Sequence, residues 1–327
     1  GANARLGKGD WLVAEADESD GSFLRLNPVV AVITNIDADH LENYGGDFER
    51  VKQAFSEFLH RLPFYGLAVL CIDDEEVAQL ARRTPRHVVT YGFAPEADVR
   101  AADVRQHGAR MQFTLCLPDG SRTACTLALP GRHNVQNALA AAAIGWQLGV
   151  PNAAIAKALE GFQGIGRRFN QLATLKLAEG GEVALVDDYG HHPKELAAVF
   201  AAARGGWPDK RLVVAFQPHR YTRTRDLFDE FAAVLSSVDA LLLTEVYPAG
   251  EAPIAGADAS ALARSIRTRG RVEPVVVGGA AELATVLPGV LRDGDLLLLM
   301  GAGDIGAAAQ QIARDGLQPR PAQGEPA

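Results

Sequence analysis

This sequence has few cysteines, no long hydrophobic run and no excess of basic residues. The longest apolar stretches, such as residues 67–72 and 296–300, are far shorter than the roughly 20 residues of a membrane-spanning helix, so we expect no membrane segment. A net charge of −8 over 327 residues opposes binding to nucleic-acid phosphates, and we expect no nucleic-acid partner. Cys71, Cys116 and Cys125 match no zinc spacing, which favours a reducing cytoplasm over a disulfide-bonded secreted protein.

A phosphate-binding loop of the G-x-x-G-K-[S/T] type is also missing, and Gly7-Lys8-Gly9 does not supply one. Another glycine-rich motif is present, Gly301-Ala302-Gly303-Asp304-Ile305-Gly306, and it matches the dinucleotide fingerprint. That fingerprint belongs to the first βαβ unit of a Rossmann domain, whereas this motif follows the last predicted strand. We interpret these glycines as a tight turn between a strand and a helix, with an NAD-dependent oxidoreductase as the alternative.

Short β-rich runs alternate with helical stretches, which is typical of an α/β protein with a mostly parallel sheet. Strands are predicted in the first half at residues 11–16, 29–36, 67–72 and 88–91, and helices at 47–62, 75–83, 134–148 and 152–162. The apolar run 29–33 predicts a strand buried on both faces. Residues 98–129 alternate over shorter segments and predict a small antiparallel section.

A polar, glycine-rich stretch at residues 161–169 is typical of a hinge, and we place a domain boundary there, with domains 1–166 and 167–327. Further strands are predicted beyond it at residues 183–186, 212–216, 240–244, 272–277 and 296–300. Their alternation with helices predicts a second, doubly wound Rossmann-like domain. From about residue 316 Pro, Gln and Gly dominate, and we expect a frayed tail.

Two acidic segments follow the first two predicted strands. Glu15 lies in the segment 15–20, and Asn35 and His40 lie in the segment 34–40. Ligands collect at the carboxyl ends of parallel strands, and Mg²⁺ prefers a few protein ligands beside phosphate oxygens and water. Together the segments predict a magnesium site, whereas a lone acid at such a position more often caps a helix.

Amide and guanidinium groups stand near the hinge. Asn134 and Asn137 are three residues apart, on one face of a predicted helix, where paired amides could hydrogen-bond a purine ring. Asn134 is also a suitable helix N-cap, which is the alternative role. Arg167 and Arg168 are suited to phosphate oxygens, with an exposed basic hinge as the alternative.

Polar residues also follow the strand predicted at 183–186. Asp188, Tyr189, His191 and His192 come directly after it, and Pro193 fits the first turn of a helix. Adjacent histidines cannot both reach one metal from a regular helix, so a zinc site is a weak prediction. We expect both histidines to line a cleft.

A basic cluster follows the strand predicted at 212–216. His219, Arg220, Arg223 and Arg225 stand within seven residues of one another in an otherwise acidic protein. This pattern predicts a site for a substrate carboxylate or phosphate, with a solvated surface as the alternative.

The polar segments described above, taken in their order along the chain, resemble those of the Mur ligase family. The resemblance is carried by residues 14–20, 34–44, 62–66, 131–137, 164–169, 187–193, 216–226 and 245–253. It implies a partial central ATPase domain plus a C-terminal Rossmann-like domain, and an ATP- and Mg²⁺-dependent ligation through an acyl phosphate. The implied partners are UDP-N-acetylmuramate and L-alanine. The alternative is the relative that recycles murein tripeptide, in which the run from His219 to Asp226 is not expected.

The resemblance also implies roles for single residues. The implied metal ligands are Glu15 and His40. The implied ATP contacts are Asn134, Asn137, Arg168 and Asp188. The implied substrate contacts are Tyr189, His191, His219, Arg220 and Arg223, of which His191, Arg220 and Arg223 are expected to be catalytic. Family members carry a UDP-binding domain and a phosphate loop ahead of these motifs. We therefore expect this chain to be a truncated ligase that is inactive alone, with a non-catalytic ligand-binding module as the alternative.

Overall fold

Two six-stranded sheets flanked by helices make up the protein in a computed structural model that describes residue 4 and residues 6–317. The strands are β1 Val30–Ile33, β2 Leu67–Cys71, β3 His87–Gly92, β4 Val99–His107, β5 Arg110–Cys116, β6 Arg122–Leu127, β7 Asn170–Lys176, β8 Glu182–Asp188, β9 Leu212–Phe216, β10 Ala240–Thr244, β11 Pro274–Val277 and β12 Leu296–Met300. The helices are α1 Phe48–His60, α2 Glu75–Arg83, α3 Arg132–Gln147, α4 Asn152–Gly161, α5 Pro193–Gly206, α6 Tyr221–Asp226, α7 Phe228–Leu235, α8 Ala259–Thr268, α9 Leu283–Val286 and α10 Ile305–Asp315. The predicted α/β class is confirmed.

Strands β1 to β6 lie in chain order in the first sheet, and β1 to β4 are parallel. Two residues connect β4 to β5 and five connect β5 to β6, links too short for a parallel crossover, so these strands form the predicted antiparallel section. β2 is buried throughout because all five of its residues are apolar and helices cover it. Asp47 and Asp74 begin α1 and α2 by accepting backbone N–H groups, as N-cap residues do.

Two strand predictions in the first half are wrong. Residues 11–16 form no regular secondary structure and pair with no strand among the described residues, and the side chains of Leu12 and Val13 are at least 90% exposed. A strand requires a neighbouring strand that pairs with its backbone, and the described residues provide none here. β1 covers only residues 30–33, stands at the edge of the sheet and leaves Val32 37% exposed, so it is not buried on both faces.

The second sheet has the order β11-β10-β9-β12-β8-β7. β8 to β12 are parallel, and β7 is an antiparallel edge strand that the sequence did not predict. Separate apolar clusters cover the two faces of the central strands β9 and β12, whose residues are all buried. The chain passes from β8 to β9 and returns later to place β12 between them. This order creates a crevice at the carboxyl ends of β8, β9 and β12, where ligands bind in open α/β sheets.

The described chain divides into two compact units. One contains residues up to 102 with 114–123 and 136–155, and the other contains 103–113, 124–135 and residues from 156 onward. The predicted boundary at residue 166 stays a prediction. Most of the predicted tail, residues 318–327, lies outside the described residues. Within the described part, no helix has the length and apolar composition needed to cross a membrane.

Candidate functional site

The first acidic segment contacts the short turn that follows the second one along the chain. The Tyr44 hydroxyl donates to the Glu18 carbonyl oxygen at 2.5 Å, and the Asn43 side chain donates to the Ser19 carbonyl oxygen at 2.7 Å. Glu15, however, is exposed and lies in a segment without regular secondary structure rather than at the end of a strand.

The predicted metal ligand His40 is half-buried and lies 3.6 Å from the Asp39 carboxylate. Among the described residues, no three His, Cys, Asp or Glu side chains converge on one point as a metal cage. The donor set present is therefore incomplete for Mg²⁺ without phosphate oxygens and water, and the roles of Glu15 and His40 stay predictions.

Asn134 and Asn137 both lie in α3, as predicted, but Asn134 is not its N-cap. The helix begins two residues earlier, at Arg132, which places Asn134 in the first turn. Its Nδ2 donates to the Pro130 carbonyl oxygen at 2.8 Å. This bond leaves its Oδ1 as the acceptor that the exocyclic amine of a purine would require. Asn137 is exposed one turn further along the helix.

The last residues of the predicted hinge are fixed to the end of β8. Asp188 is buried, and its two carboxylate oxygens accept the Phe169 and Gly190 backbone N–H groups, each at 2.7 Å. Burial raises the pKa of Asp188 to about 6, although these two bonds and the Arg168 guanidinium lower it. Asp188 therefore fixes the backbone at Phe169 and Gly190 rather than facing a ligand directly.

Glu195 links Arg168 to the histidine segment. Arg168 is half-exposed and its Nη1 lies 3.3 Å from Glu195 Oε1, while Glu195 Oε2 accepts the His191 and His192 backbone N–H groups at 2.9 and 3.1 Å. Burial opposes the charge of Glu195, but the amides, His191 and Arg168 hold its pKa below the usual value. Arg168 therefore has a charged partner in the second unit.

The two adjacent histidines have different environments. His192 is buried and caps α5, because its Nδ1 accepts the Lys194 N–H and Glu195 completes a capping box. The prediction that both histidines line a cleft is wrong for His192. Pro193 is the first residue of the helix, as predicted.

Four rings form a row across the ends of β8, β9 and β10, which we call the aromatic row: Tyr189, His191, His219 and Tyr247. The centroid separations along it are 5.3, 5.7 and 5.4 Å, and the last pair is stacked with the ring planes 8° apart. The backbones of His219 and Tyr247 form a parallel bridge beyond the ends of β9 and β10. Three of these rings were predicted as substrate contacts, and the row supports a common site for them.

The predicted arginines stand beside the aromatic row. Arg223 is almost fully buried in α6, whereas Arg220 precedes α6 and has an exposed side chain. Arg220 has a φ of 71°, which is strained for a residue with a side chain and is characteristic of functional sites. Tyr247 secures this conformation, because its carbonyl oxygen accepts the Arg220 N–H at 2.8 Å and its own N–H donates to the Pro218 carbonyl oxygen at 2.8 Å.

The sequence analysis missed Glu251. Its carboxylate accepts the Thr222 N–H at 3.0 Å and the Thr222 hydroxyl at 2.7 Å, and it lies 3.7 Å from Arg220 Nη1. Burial opposes its charge, but Thr222 and Arg220 hold the pKa of Glu251 below its usual value. Glu251 therefore occupies the amide end of α6 and leaves anion binding to the arginine side chains. The available signal was that Glu251 lies in the segment 245–253, which directly follows the neighbouring strand β10.

The electrostatics keep His219 neutral near pH 7. Partial burial, His191, Arg223 and Arg220 lower the pKa of His219 to about 4, while Glu251 acts in the opposite direction. The cluster therefore presents fixed positive charge from the arginines and an uncharged imidazole beside it. This arrangement suits a carboxylate held by guanidinium groups.

The glycine-rich motif is a turn between β12 and α10, as predicted. The chain's own groups press against it. A Cβ on Gly303 would collide with the Gln217 amide and the Tyr247 ring, and a Cβ on Gly306 would stand 2.5 Å from the Arg167 guanidinium carbon. The space at this turn is therefore filled by side chains of the protein itself, which disfavours the alternative of a dinucleotide site.

Comparisons with known proteins match both halves of the chain. The Mur ligase middle domain model matches residues 5–145, and the model described as Mur ligase, glutamate ligase domain, matches residues 167–303. A UDP-N-acetylmuramate--L-alanine ligase of Xanthomonas campestris pv. campestris (strain B100) is 74% identical over 322 residues, which cover 98% of this chain and 68% of that protein. The chain belongs to the Mur ligase family.

Other Mur ligases give the same result. The enzyme of the same name from Stenotrophomonas maltophilia (strain K279a) is 74% identical over 318 residues, covering 97% of this chain and 66% of that protein. The crystal structure of UDP-N-acetylmuramate-alanine ligase MurC from Thermotoga maritima matches with a TM-score of 0.72 at 28% identity, covering 91% of this chain and 62% of that one. The chain thus spans about two thirds of the length of these Mur ligases.

Proposed function

We propose that this chain carries the amino-acid-binding part of an ATP-dependent ligase that joins L-alanine to UDP-N-acetylmuramate in cytoplasmic peptidoglycan synthesis. The observation that carries this proposal is the pairing of Arg220 and Arg223 with the aromatic row at the crevice of the second sheet. The names of the relatives support the choice of substrates. We also propose the domain boundary at residue 166.

In this proposal, Arg220 and Arg223 bind the carboxylate of L-alanine, because a guanidinium makes charge-assisted hydrogen bonds to both carboxylate oxygens. The neutral His219 lies beside it, with His191 next to it in the aromatic row, and an imidazole nitrogen without a proton accepts a hydrogen bond from the amine. Tyr189 borders the same pocket toward the muramyl end. Binding the amine beside the activated carboxyl group would lower the entropy that the reaction has to lose.

ATP is proposed to contact Asn134 and Asn137 through its adenine and Arg168 through its phosphates. Asp188 would act on the ATP side indirectly, by fixing the backbone next to Arg168. Mg²⁺, held mainly by phosphate oxygens and water, would neutralise charge on the phosphates, with Glu15 and His40 as its candidate protein ligands. Because these 327 residues contain no phosphate loop, we propose that this polypeptide alone binds ligand without turnover.

The binding proposal is tested with the 327-residue chain by NMR titration with L-alanine. We expect saturable shifts in the wild type and a loss of affinity of about tenfold or more in Arg220→Ala, since a hydrogen bond to a charged group contributes about 1.5–3 kcal/mol. Arg225→Ala is the matched control, because Arg225 lies in the short helix that follows Arg220 but is exposed and pairs with Asp226. Equal affinity of Arg220→Ala and wild type would contradict the assigned pocket.

Turnover is measured separately, as phosphate release with ATP, L-alanine and UDP-N-acetylmuramate. We expect none from this polypeptide alone. Sustained release above a chain-free control would show that the missing loop is not needed and would overturn that part of the proposal.

A further inference from the structure

The guanidinium of Arg167 lies inside the glycine-rich turn. A Cβ atom placed in ideal geometry on Gly306 would be only 2.5 Å from Arg167 Cζ and 2.6 Å from both Nε and Nη2. Real Cβ atoms do not approach heavy atoms so closely, so an alanine at position 306 would displace this guanidinium from its place in the turn. A Gly301 Cβ would likewise be 2.7 Å from the Gln217 carbonyl oxygen. The turn is therefore shaped around groups from its own chain.

Charge and hydrogen bonding fix the guanidinium there. Arg167 Nη2 donates to the Gly301 carbonyl oxygen at 2.5 Å, and Nε lies 3.4 Å from Asp187 Oδ2. Asp187 has no exposed surface, and within the described part of the chain neither of its carboxylate oxygens has a partner in hydrogen-bond geometry. A buried carboxylate is costly without a nearby opposite charge, and Arg167 supplies that charge.

Arg167 also determines where Tyr189 stands. The Tyr189 N–H donates to the Arg167 carbonyl oxygen at 2.7 Å, and Arg167 Cζ lies 4.9 Å from the centre of the Tyr189 ring, within cation–π range. Arg167 has a left-handed φ of 62°, which is uncommon for a residue with a side chain. Tyr189 is the first ring of the aromatic row and contacts His191 edge-on. A displacement at Arg167 therefore reaches the proposed substrate pocket through one ring.

We infer that Arg167 is a positioning residue: the turn Gly301–Gly306 is a receptor for its guanidinium, and the bound guanidinium holds Tyr189 in place at the pocket for L-alanine. The second half of this inference rests on the proposed function. The first half does not, because it concerns only contacts within the chain. The fingerprint glycines thus serve an internal cation and not an external pyrophosphate.

A double-mutant cycle tests the receptor. Gly306→Ala, Arg167→Ala and the double variant are compared with wild type by urea unfolding. We expect Gly306→Ala to lower the unfolding midpoint strongly when Arg167 is present and much less when it is absent, because the clash has been removed. Gly303→Ala is the matched control: its clash is with Gln217 and Tyr247, so the loss should be the same in both backgrounds.

Additive effects of Gly306→Ala and Arg167→Ala would overturn the receptor assignment. If Arg167→Ala does not fold, Arg167→Asn replaces it in the cycle, because asparagine tolerates the left-handed φ and its side chain ends before the position of Nε, the nearest chain atom that the added methyl would meet. In that second cycle, a Gly306→Ala penalty that is as large in the Arg167→Asn background as in wild type would count equally against the inference.

Positioning is tested by the ring signals of Tyr189 and by L-alanine affinity. In Arg167→Ala we expect the Tyr189 ring resonances to shift without ligand and L-alanine to bind at least several-fold more weakly. Millimolar guanidinium, far below denaturing concentrations, should restore affinity in Arg167→Ala but not in Arg220→Ala. A purely stabilising arginine would not give this selective rescue.

The outcomes separate the two proposals. Unchanged Tyr189 resonances in Arg167→Ala, or unchanged affinity where wild type binds, would overturn the positioning role. Failure of wild type to bind L-alanine would count against the proposed function, while the cycle and the Tyr189 resonances would still decide the inference.

Discussion

Replacing His219 with glutamine provides a test of the site's electrostatics that needs no ligand. The pKa of His219 is lowered from 6.5 to about 4 in the folded protein. The groups facing it are His191, Arg223, Arg220 and Glu251, and only Glu251 favours the charged imidazole. Folding therefore disfavours a proton on His219, and glutamine removes the proton-binding group while it keeps a polar side chain.

The sign and size of the effect follow from linkage. Between pH 4 and 6.5 the unfolded chain binds a proton at residue 219 that the folded chain does not, so stability rises with pH across this window. The contribution is complete above the unfolded pKa and is lost as the pH falls toward the folded pKa. The full shift would correspond to about 3 kcal/mol, and we discount it to about 1–2 kcal/mol because the side chain is only partly buried.

The assay is urea unfolding of wild type and His219→Gln at matched pH values from about 4.5 to about 7.5, which span the window in which the proton is bound differently. The stability of wild type minus that of the variant should increase by about 1–2 kcal/mol over this range, since other titrating groups cancel in the difference. A flat difference, or an NMR titration of His219 at or above its ordinary pKa of 6.5, would refute the idea that burial and the arginines keep this imidazole neutral.

Two further predictions concern stability. Asp295 is buried, and its carboxylate accepts hydrogen bonds from Arg211 Nε at 2.9 Å and Nη2 at 2.8 Å. Asp295→Ala should therefore lower the free energy of unfolding by about 3 kcal/mol, whereas Asp226→Ala, at an exposed ion pair, should lower it by less than about 0.5 kcal/mol. Similar losses in both variants would contradict the role of burial. Gly92 has a φ of 154°, and a Cβ there would stand 2.6 Å from an Asp73 carboxylate oxygen that backbone amides hold in place. Gly92→Ala should therefore lower the free energy of unfolding by more than about 1 kcal/mol. No change in the same urea unfolding assay would show that this backbone can relax.

The strands that the sequence predicted best are those buried by helices on both faces. β9, β10 and β12 match their predicted bounds, because four or five consecutive apolar residues between charged residues and turn signals have few other arrangements. β7 was missed because an antiparallel edge strand is half-exposed and mixes polar with apolar residues. Residues 11–16 show the opposite error: their composition suits a strand, but pairing depends on a neighbour that local sequence cannot reveal.

The chemistry of the site was predictable to a similar degree. Polar residues after parallel strands indicated where His219 and Arg220 would lie, because strand order brings strand ends together. The roles of Asp188 and Arg167 were not visible, since they arise from contacts with residues 19 and 134 positions away. His192 likewise looked like a partner of His191 and is instead a helix cap.

The bridge between His219 and Tyr247 has a consequence for how the pocket behaves in time. Loops normally move more than the strands that they connect. Here the amides of Tyr247 and Arg220 are hydrogen-bonded across two loops, in the manner of a short extension of the sheet. Opening this part of the pocket therefore requires breaking bonds that continue those of β9 and β10. The conformational entropy of ordering the Arg220 backbone is therefore lost during folding, and a ligand of the proposed pocket would meet a backbone that is already in place.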